Sequence, residues 1–184
     1  MREFKGNSLI KELDDYTVVD IETTSLDSRS GEILEISAIR VRNKKVVDTF
    51  SKLIKVSYVG SFTTHLTGIT NAEMLEYGED LTKVLEDFLA FLGDDVIVGH
   101  NVNFDVNFLY DNLESELGIF LTNDYIDTLR LSRMFLPKLG HHRLDDLITY
   151  FNLEKRCEHR ALNDCILTNQ VYLNLWGLQN KIYN

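Results

Sequence analysis

One short segment constrains the fold more than any other part of the sequence. Residues 16–21, Tyr-Thr-Val-Val-Asp-Ile, are β-branched and almost continuously apolar. Such a run is typical of a strand that is buried on both faces of a sheet and is therefore central in it. Two acids, Asp20 and Glu22, lie at its end. Because side chains alternate along a strand, both carboxylates should point to the same face, and like charges at a buried strand end require positive charge nearby.

The rest of the chain predicts strands and helices around this central strand. Two alternating runs at 33–41 and 46–54 are typical of a hairpin, and short apolar runs at 96–98 and 125–126 resemble further strands. Apolar residues at helical spacing predict helices at 81–92, 103–117, 128–136, 144–151 and about 161–175. A hairpin followed by alternating strands and helices indicates an α/β domain with a mixed sheet.

Length and composition exclude several classes of protein. A chain of 184 residues with 44% hydrophobic and 26% charged residues is typical of one globular domain and excludes disordered, collagen-like and coiled-coil chains. It contains no apolar run of the ~18 residues that span a bilayer and no signal peptide, so we expect a cytoplasmic location. Cys157 and Cys165 are too few for a disulfide framework and are expected to be free thiols. The lack of linkers favours a stand-alone polypeptide, although an excised domain would look similar.

The formal net charge of −10 argues against a nucleic-acid partner only when it is taken as a total. The acidity is regional, since residues 73–124 carry thirteen acids against the single Lys83. By contrast, residues 40–55 hold six basic residues and one acid, Asp48. A locally positive or metal-neutralised groove is therefore compatible with this sequence.

Two further acids follow predicted secondary-structure boundaries. Asp105 lies at a strand-to-helix junction, and Asp164 lies near the start of the last helix. Together with Asp20 and Glu22 they form an oxygen-rich set that suits Mg²⁺ or Mn²⁺, and a pair of such ions favours phosphodiester hydrolysis. His159 has the pKa range of a general base for the attacking water. Taken singly, Asp105 also fits an ordinary helix N-terminus and His159 an ordinary surface histidine.

Three segments carry a resemblance to a known family. Residues 20–24 (Asp-Ile-Glu-Thr-Thr), 100–105 (His-Asn-Val-Asn-Phe-Asp) and 159–164 (His-Arg-Ala-Leu-Asn-Asp) resemble, in order and spacing, the three exonuclease motifs of the DnaQ-like, or DEDDh, family. The resemblance implies a ribonuclease H-like fold, with a central mixed five-stranded sheet flanked by helices. It also implies a 3′→5′ exonuclease that uses two divalent ions, Mg²⁺ or Mn²⁺. Within the family, the chain most resembles the exonuclease domain attached to or partnered with bacterial DNA polymerase III.

The same resemblance implies domain bounds and residue roles. The chain would comprise an N-terminal extension (1–15), an exonuclease domain (16–178) and a C-terminal tail (179–184). His159 would be the general base. The metal carboxylates, which complete the catalytic set, would be Asp20, Glu22, Asp105 and Asp164. The substrate-binding residues would be Thr23, Leu26, His65 and Asn101.

Three further details of the sequence concern the site: Phe104, Ser25 and a set of arginines. Phe104 either contacts substrate or is core at helical spacing. Ser25 stands where the family usually has glycine, so we expect a modest local change and an intact site. Four arginines are expected to be available to contact the backbone of a nucleic-acid strand: Arg130, Arg133, Arg143 and Arg160.

The leading hypothesis is a phosphodiester hydrolase that removes nucleoside monophosphates from single-stranded or frayed DNA 3′ ends, in proofreading or repair. A DNA polymerase subunit is then a candidate partner, and no membrane is involved. A second hypothesis is an exoribonuclease that trims RNA 3′ ends, as RNase T or oligoribonuclease does. A third is a module that binds ends and has lost the chemistry. The motifs do not separate DNA from RNA as substrate.

Overall fold

The computed structural model describes residues 2–28, 30–154 and 160–183, with side chains up to residue 180. Within these residues the chain forms six strands: β1 (Ser8–Leu9), β2 (Tyr16–Thr23), β3 (Ile33–Arg42), β4 (Lys45–Leu53), β5 (Ile97–Gly99) and β6 (Tyr125–Asp127). Seven helices accompany them in this part of the chain: α1 (Ser61–Thr67), α2 (Asn71–Tyr77), α3 (Leu81–Leu92), α4 (Asn103–Leu117), α5 (Thr128–Phe135), α6 (Leu144–Tyr150) and α7 (Ala161–Tyr183). The predicted α/β class is confirmed.

The strands form one mixed sheet in the order β1-β6-β5-β2-β3-β4. β2 is central, antiparallel to β3 and parallel to β5, and its residues Tyr16, Val18 and Val19 are buried. The prediction of a central buried strand is therefore confirmed. β3 is also covered on both faces from Ile33 to Ile39, because it lies inside the sheet between β2 and β4.

The sheet has six strands, one more than the five expected. The additional strand is β1, in which Ser8 and Leu9 pair in parallel with Tyr125 and Ile126. Two residues are too few to show a period, and their partner lies more than 110 residues away in sequence. The pairing therefore depends on a tertiary contact that the local sequence does not signal.

Helices cover the two faces of the sheet. On one face α3 and α4 pack on apolar residues that include Val19 and Ile21. On the other face α5, α6 and α7 pack on residues that include Tyr16 and Val18. Asp20 and Glu22 are two and four residues beyond Val18 along β2, so strand alternation assigns them to the α7 face. α7 continues to Tyr183, past the predicted helix end near residue 175.

Helices α1 and α2 are absent from the sequence prediction. Each has seven residues, and Phe62 and Leu66 on α1 and Leu75 on α2 are exposed, so neither helix shows a clear apolar stripe. A capping box was the available signal: Thr70 accepts from the backbone N–H of Glu73, and the Glu73 side chain accepts from that of Thr70.

The topology determines where a site can form. Because β2, β5 and β6 run parallel, their carboxyl ends meet at one edge of the sheet, which we call the carboxyl edge. In open α/β sheets this edge borders the ligand crevice. No helix among the described residues combines the length and the apolar character needed to cross a bilayer.

Candidate active site

Three carboxylates converge at the carboxyl edge. Asp20 and Glu22 come from β2, and Asp164 comes from the first turn of α7. One carboxylate oxygen from each of the three residues lies within 4.8 Å of the other two. We call these three residues the carboxylate cluster. The arrangement follows from the period of the strand, which places Asp20 and Glu22 on one face, and from α7, which packs across that face.

Asp105 adds a fourth carboxylate from the opposite side of β2. It lies in the first turn of α4, is 4% exposed, and its Oδ1 accepts a hydrogen bond of 3.1 Å from the backbone N–H of Ile21. This bond fixes the start of α4 against the strand that carries the cluster. Burial raises the pKa of Asp105 to about 8, against the opposing effect of the hydrogen bonds from backbone N–H groups.

Burial and mutual repulsion also raise the pKa of the cluster residues. The pKa of Asp20 lies well above its usual value because of burial first and then the neighbouring charges of Asp105 and Asp164. Burial, with the charges of Asp164 and Glu35, raises the pKa of Glu22 to about 8. The site therefore resists carrying its full negative charge alone. Grouped carboxylate oxygens of this kind fit a hard divalent cation, which would restore their ionised forms.

A charged bridge that the sequence did not reveal borders the cluster. Glu35 faces Glu22 across the β2–β3 ladder and is only 1% exposed. Its Oε1 accepts a 2.9 Å hydrogen bond from Ser51 Oγ, and its Oε2 lies 3.4 Å from Arg160 Nε. Arg160 also lies 3.3 Å from Glu73 Oε1 on α2. Glu35, Arg160 and Glu73, which we call the Arg160 bridge, thus join the residue before α7 to β3 and α2.

The Arg160 bridge corrects one expectation. Arg160 was expected to be available to a strand backbone, whereas two carboxylates hold it. It acts on the cluster nonetheless, because its positive charge lowers the pKa of Glu22. This role has no local signal in the sequence, since the partners of Arg160 are 125 and 87 residues away.

Two of the predicted substrate-binding residues lie at the carboxyl edge. Thr23 ends β2, and its Oγ1 donates a 2.8 Å hydrogen bond to the carbonyl of Ser25. Asn101 follows β5, is exposed, and has a left-handed backbone with φ +56°. Its backbone N–H donates to Asp127 Oδ1 at 2.9 Å, and the same oxygen caps α5 through Leu129. Asp127, which the sequence did not single out as a site residue, therefore holds the Asn101 turn in place.

The other two predicted contacts are open to solvent. Leu26 is 87% exposed in the loop after β2, and His65 is exposed on α1. Phe104 is partly buried, with its ring 4.9 Å from that of Phe108, which supports its role in the core. Ser25 is not among the described residues with positive φ, so its backbone needs no glycine there.

Two residues named from the sequence lie outside the described residues. His159, predicted to be the general base, and Cys157 both fall within 155–159. Cys165 is described and buried on α7, where its Sγ contacts the carbonyl of Ser37 at 3.4 Å.

Comparison with known proteins identifies the family. Residues 17–172 match the model of the RNase T exonuclease family. The chain belongs to this exonuclease family. Among curated relatives, the DNA polymerase III subunit epsilon of Aquifex aeolicus is 33% identical over 161 residues, covering 87% of this chain and 79% of that protein. This exonuclease chain is therefore related to the polymerase III epsilon subunit.

Other relatives are much longer than this exonuclease chain. The PolC-type DNA polymerase III of Thermotoga maritima is 39% identical over 168 residues, which are 91% of this chain and 12% of that protein. Among solved structures, Escherichia coli Exonuclease I in complex with a dT13 oligonucleotide matches with a TM-score of 0.79 at 18% identity, covering 93% of this chain and 43% of that one. Exonuclease X with 5′ overhanging duplex DNA matches with a TM-score of 0.68 at 22% identity, over 89% and 92% of the two chains. These structures share the fold.

Proposed function

We propose that the chain is a metal-dependent 3′→5′ exonuclease that hydrolyses phosphodiester bonds at the 3′ ends of single-stranded DNA and releases nucleoside monophosphates. The observation that carries this proposal is the carboxylate cluster, in which one oxygen each of Asp20, Glu22 and Asp164 lies within 4.8 Å of the others at the carboxyl edge. The family membership supports the reaction class, and the relatives named as DNA polymerase III proteins support DNA as the substrate.

The metal carboxylates are Asp20, Glu22, Asp105 and Asp164, and they would hold two divalent ions, Mg²⁺ or Mn²⁺. When bound, such ions supply an activated water and stabilise the leaving oxygen of an in-line displacement at phosphorus. The donor set fits them, because it consists of hard oxygens whose pKa values are raised by crowding and are lowered by a nearby cation.

The chain's own residues position the substrate and move the proton. His159 accepts the proton of the attacking water as the general base. Thr23 and Leu26 hold the terminal nucleotide from the β2 side, and Asn101 holds it from the β5 side, where the bond to Asp127 fixes its backbone. His65 contacts the terminal phosphate or sugar from α1.

The relatives support the proposed biological setting. A role in proofreading or repair, with a DNA polymerase subunit as partner, fits a chain that resembles epsilon over 87% of its length. An exoribonuclease has the same architecture, and the two are separated by substrate. A module that only binds ends is disfavoured, because the motif carboxylates are all present and, among the described residues, three of them converge.

Degradation of 5′-labelled single-stranded DNA and RNA of one sequence tests this proposal. The reactions contain Mg²⁺, Mn²⁺ or EDTA, and the products are resolved as ladders. We expect a metal-dependent ladder on DNA that shortens from the 3′ end. A ladder on RNA alone would replace the proposal by an exoribonuclease. Folded protein that binds 3′ ends and gives no ladder with either metal would replace it by an end-binding module.

A further inference from the structure

A cleft of about 570 Å³ opens beside the carboxyl edge. Its walls come from the end of β5, from α5 and from the segment before α6. Its polar lining consists of His100, Asn101, Arg133, His141, His142 and Arg143. We call this the arginine cleft. None of the described side chains that line it is acidic, although the whole chain has a net charge of −10.

The arginine cleft adjoins the carboxylate cluster through the sheet. In the parallel β2–β5 ladder Val18 lies opposite Val98, so His100, two residues further on, is level with Asp20 on the neighbouring strand. Adjacent strands are about 4.8 Å apart. Asn101, a predicted contact of the terminal nucleotide, also lines the cleft. The cleft therefore lies where a nucleic-acid strand would leave the proposed active site.

The two arginines of the cleft differ from most others in the described chain. Arg133 on α5 and Arg143 before α6 are exposed, and neither forms an ion pair with a described acid. Four other arginines pair with acids: Arg2, Arg40, Arg42 and Arg160. Among the described residues, no ion pair neutralises Arg133 or Arg143, which makes these two side chains candidates for binding an anion.

The histidines fix the shape of the cleft. His100 Nδ1 lies 2.9 Å from Thr128 Oγ1, and His142 Nδ1 lies 3.0 Å from Ser132 Oγ. Both hydroxyls belong to α5 and are buried with their residues. These contacts hold the end of β5 and the segment before α6 against α5. The positions of Arg133 and Arg143 are therefore fixed relative to each other.

We propose that the arginine cleft binds backbone phosphates of the nucleic-acid strand immediately upstream of the 3′ terminal nucleotide. The inference rests on the proposed function, which supplies a strand whose end lies at the carboxylate cluster. Guanidinium groups bind phosphate oxygens with paired, charge-assisted hydrogen bonds. A positively charged groove that follows the backbone is the common solution for single strands, and it reads no sequence.

Fluorescence anisotropy with labelled 12-mers of DNA and of RNA in EDTA tests the cleft without relying on hydrolysis. The variant is Arg133→Ala/Arg143→Ala, which keeps the α6 cap, because Asp146 accepts from the backbone N–H of Arg143. The control is Lys45→Glu, which makes the same change of net charge on an exposed residue at the other end of the sheet. A second variant, Arg133→Lys/Arg143→Lys, retains the charge.

We expect the alanine variant to bind the 12-mers about tenfold more weakly. The slope of log K against log salt should become shallower by about 1.4, because each lost phosphate contact on a single strand contributes about 0.7. The lysine variant should recover most of the slope, and Lys45→Glu should match wild type. An unchanged slope in the alanine variant, or an equal loss in Lys45→Glu, would overturn the proposal.

Hydrolysis of thymidine 5′-monophosphate p-nitrophenyl ester separates this inference from the proposed function. The ester has no upstream phosphates, so the alanine variant should hydrolyse it at the wild-type rate in Mn²⁺. A loss of ester hydrolysis in that variant would contradict a role confined to upstream phosphates. Wild-type protein that binds the 12-mers through the arginines but never cleaves the ester or a longer strand would contradict the proposed function and leave the cleft in place.

Discussion

The two ends of β2 place acids in opposite surroundings. At the amino end, Asp95 accepts hydrogen bonds from both Arg42 Nη2 (2.8 and 2.9 Å to its two oxygens) and Thr17 Oγ1 (2.6 Å). At the carboxyl end, Asp20 and Glu22 face Asp164, and burial and mutual repulsion raise the pKa values of both β2 acids. An acid that is paired with a neighbouring guanidinium group, as Asp95 is with Arg42, stabilises the fold. Acids whose charged neighbours are mainly other acids form a group that is able to hold a metal ion.

The largest effect should follow from removing one charge of the carboxylate cluster. Asp164→Asn keeps the shape of the side chain and removes a proposed metal ligand. Loss of several kcal/mol of charge stabilisation corresponds to about a 10³-fold fall in kcat/KM on single-stranded DNA. Steady-state assays in Mn²⁺ measure it, with thermal unfolding as the check that the variant is folded.

Asp94→Asn is the matched control for this variant. Asp94 is an exposed acid in the turn before β5, at the end of the sheet away from the cluster. Its variant should retain wild-type activity. Equal activity of Asp164→Asn and wild type would remove the distinction between the two ends of β2.

The second effect concerns pH in the absence of metal. The pKa values of Glu22 and Asp105 are raised to about 8 in the folded chain, whereas their ordinary values are 4.5 and 3.8. At pH values between the ordinary and the raised pKa values, the folded state binds more protons than the unfolded state. The free energy of unfolding therefore falls as pH rises. In EDTA the midpoint of unfolding should therefore fall by at least about 10 °C from pH 5 to pH 8 because of these groups.

Mg²⁺ or Mn²⁺ should reverse this loss, with a larger stabilisation at pH 8 than at pH 5, since metal ions bind the ionised carboxylates. Differential scanning calorimetry across the pH range measures both trends. Asp20→Asn should flatten the metal-free trend, because it removes one repelling charge. A midpoint that rises from pH 5 to pH 8 in EDTA would contradict the crowding account.

At the amino end of β2, a substitution should lower the stability of the protein and leave its activity unchanged. Arg42→Ala leaves the partly buried Asp95 without its guanidinium, and we expect a loss of about 1–2 kcal/mol in the free energy of unfolding, between the values for surface and buried pairs. Activity measured well below the unfolding midpoint should stay at the wild-type level. Urea denaturation gives the first quantity, and a loss of activity in folded Arg42→Ala would show that the two ends are coupled.

The smallest effect should come from the Arg160 bridge. Arg160 lowers the pKa of Glu22, so Arg160→Ala should move the acid limb of the pH–rate profile to higher pH. The Mn²⁺ concentration at half-maximal rate at pH 7 should rise about fivefold, or about 1 kcal/mol. Arg160→Lys should recover part of both changes. An unchanged pH profile in Arg160→Ala would limit the bridge to a structural role.

The sequence predicted the parts of the fold that repeat a local pattern. The apolar run of β2 and the helical spacing of α3 and α4 predicted these elements to within a few residues. β1 escaped prediction because two residues carry no period, and α1 and α2 because their large apolar residues Phe62 and Leu75 face solvent. The shared cause is that none of these three elements carries a clear local hydrophobic period.

The candidate site likewise has a part that local sequence predicted and a part that it did not. The spacing of Asp20 and Glu22 on one strand predicted a shared face, and the structure brings Asp164 to it. The Arg160 bridge was missed, because Glu35 alternates like any strand residue and its burial arises only when β3 lies inside the sheet. Arg160 is paired and Arg133 forms no ion pair with a described acid, and this contrast also depends on which acids the fold brings near.

Binding of Mn²⁺ to the carboxylate cluster is the step on which the proposed reaction depends. Electron paramagnetic resonance of free Mn²⁺ during titration at pH 7.5 measures it directly for wild type, Asp20→Asn and Asp94→Asn. We expect saturable binding of two ions by wild type and by Asp94→Asn, and loss of saturable binding in Asp20→Asn. Equal binding by Asp20→Asn and wild type, or no saturable binding by wild type, would contradict it.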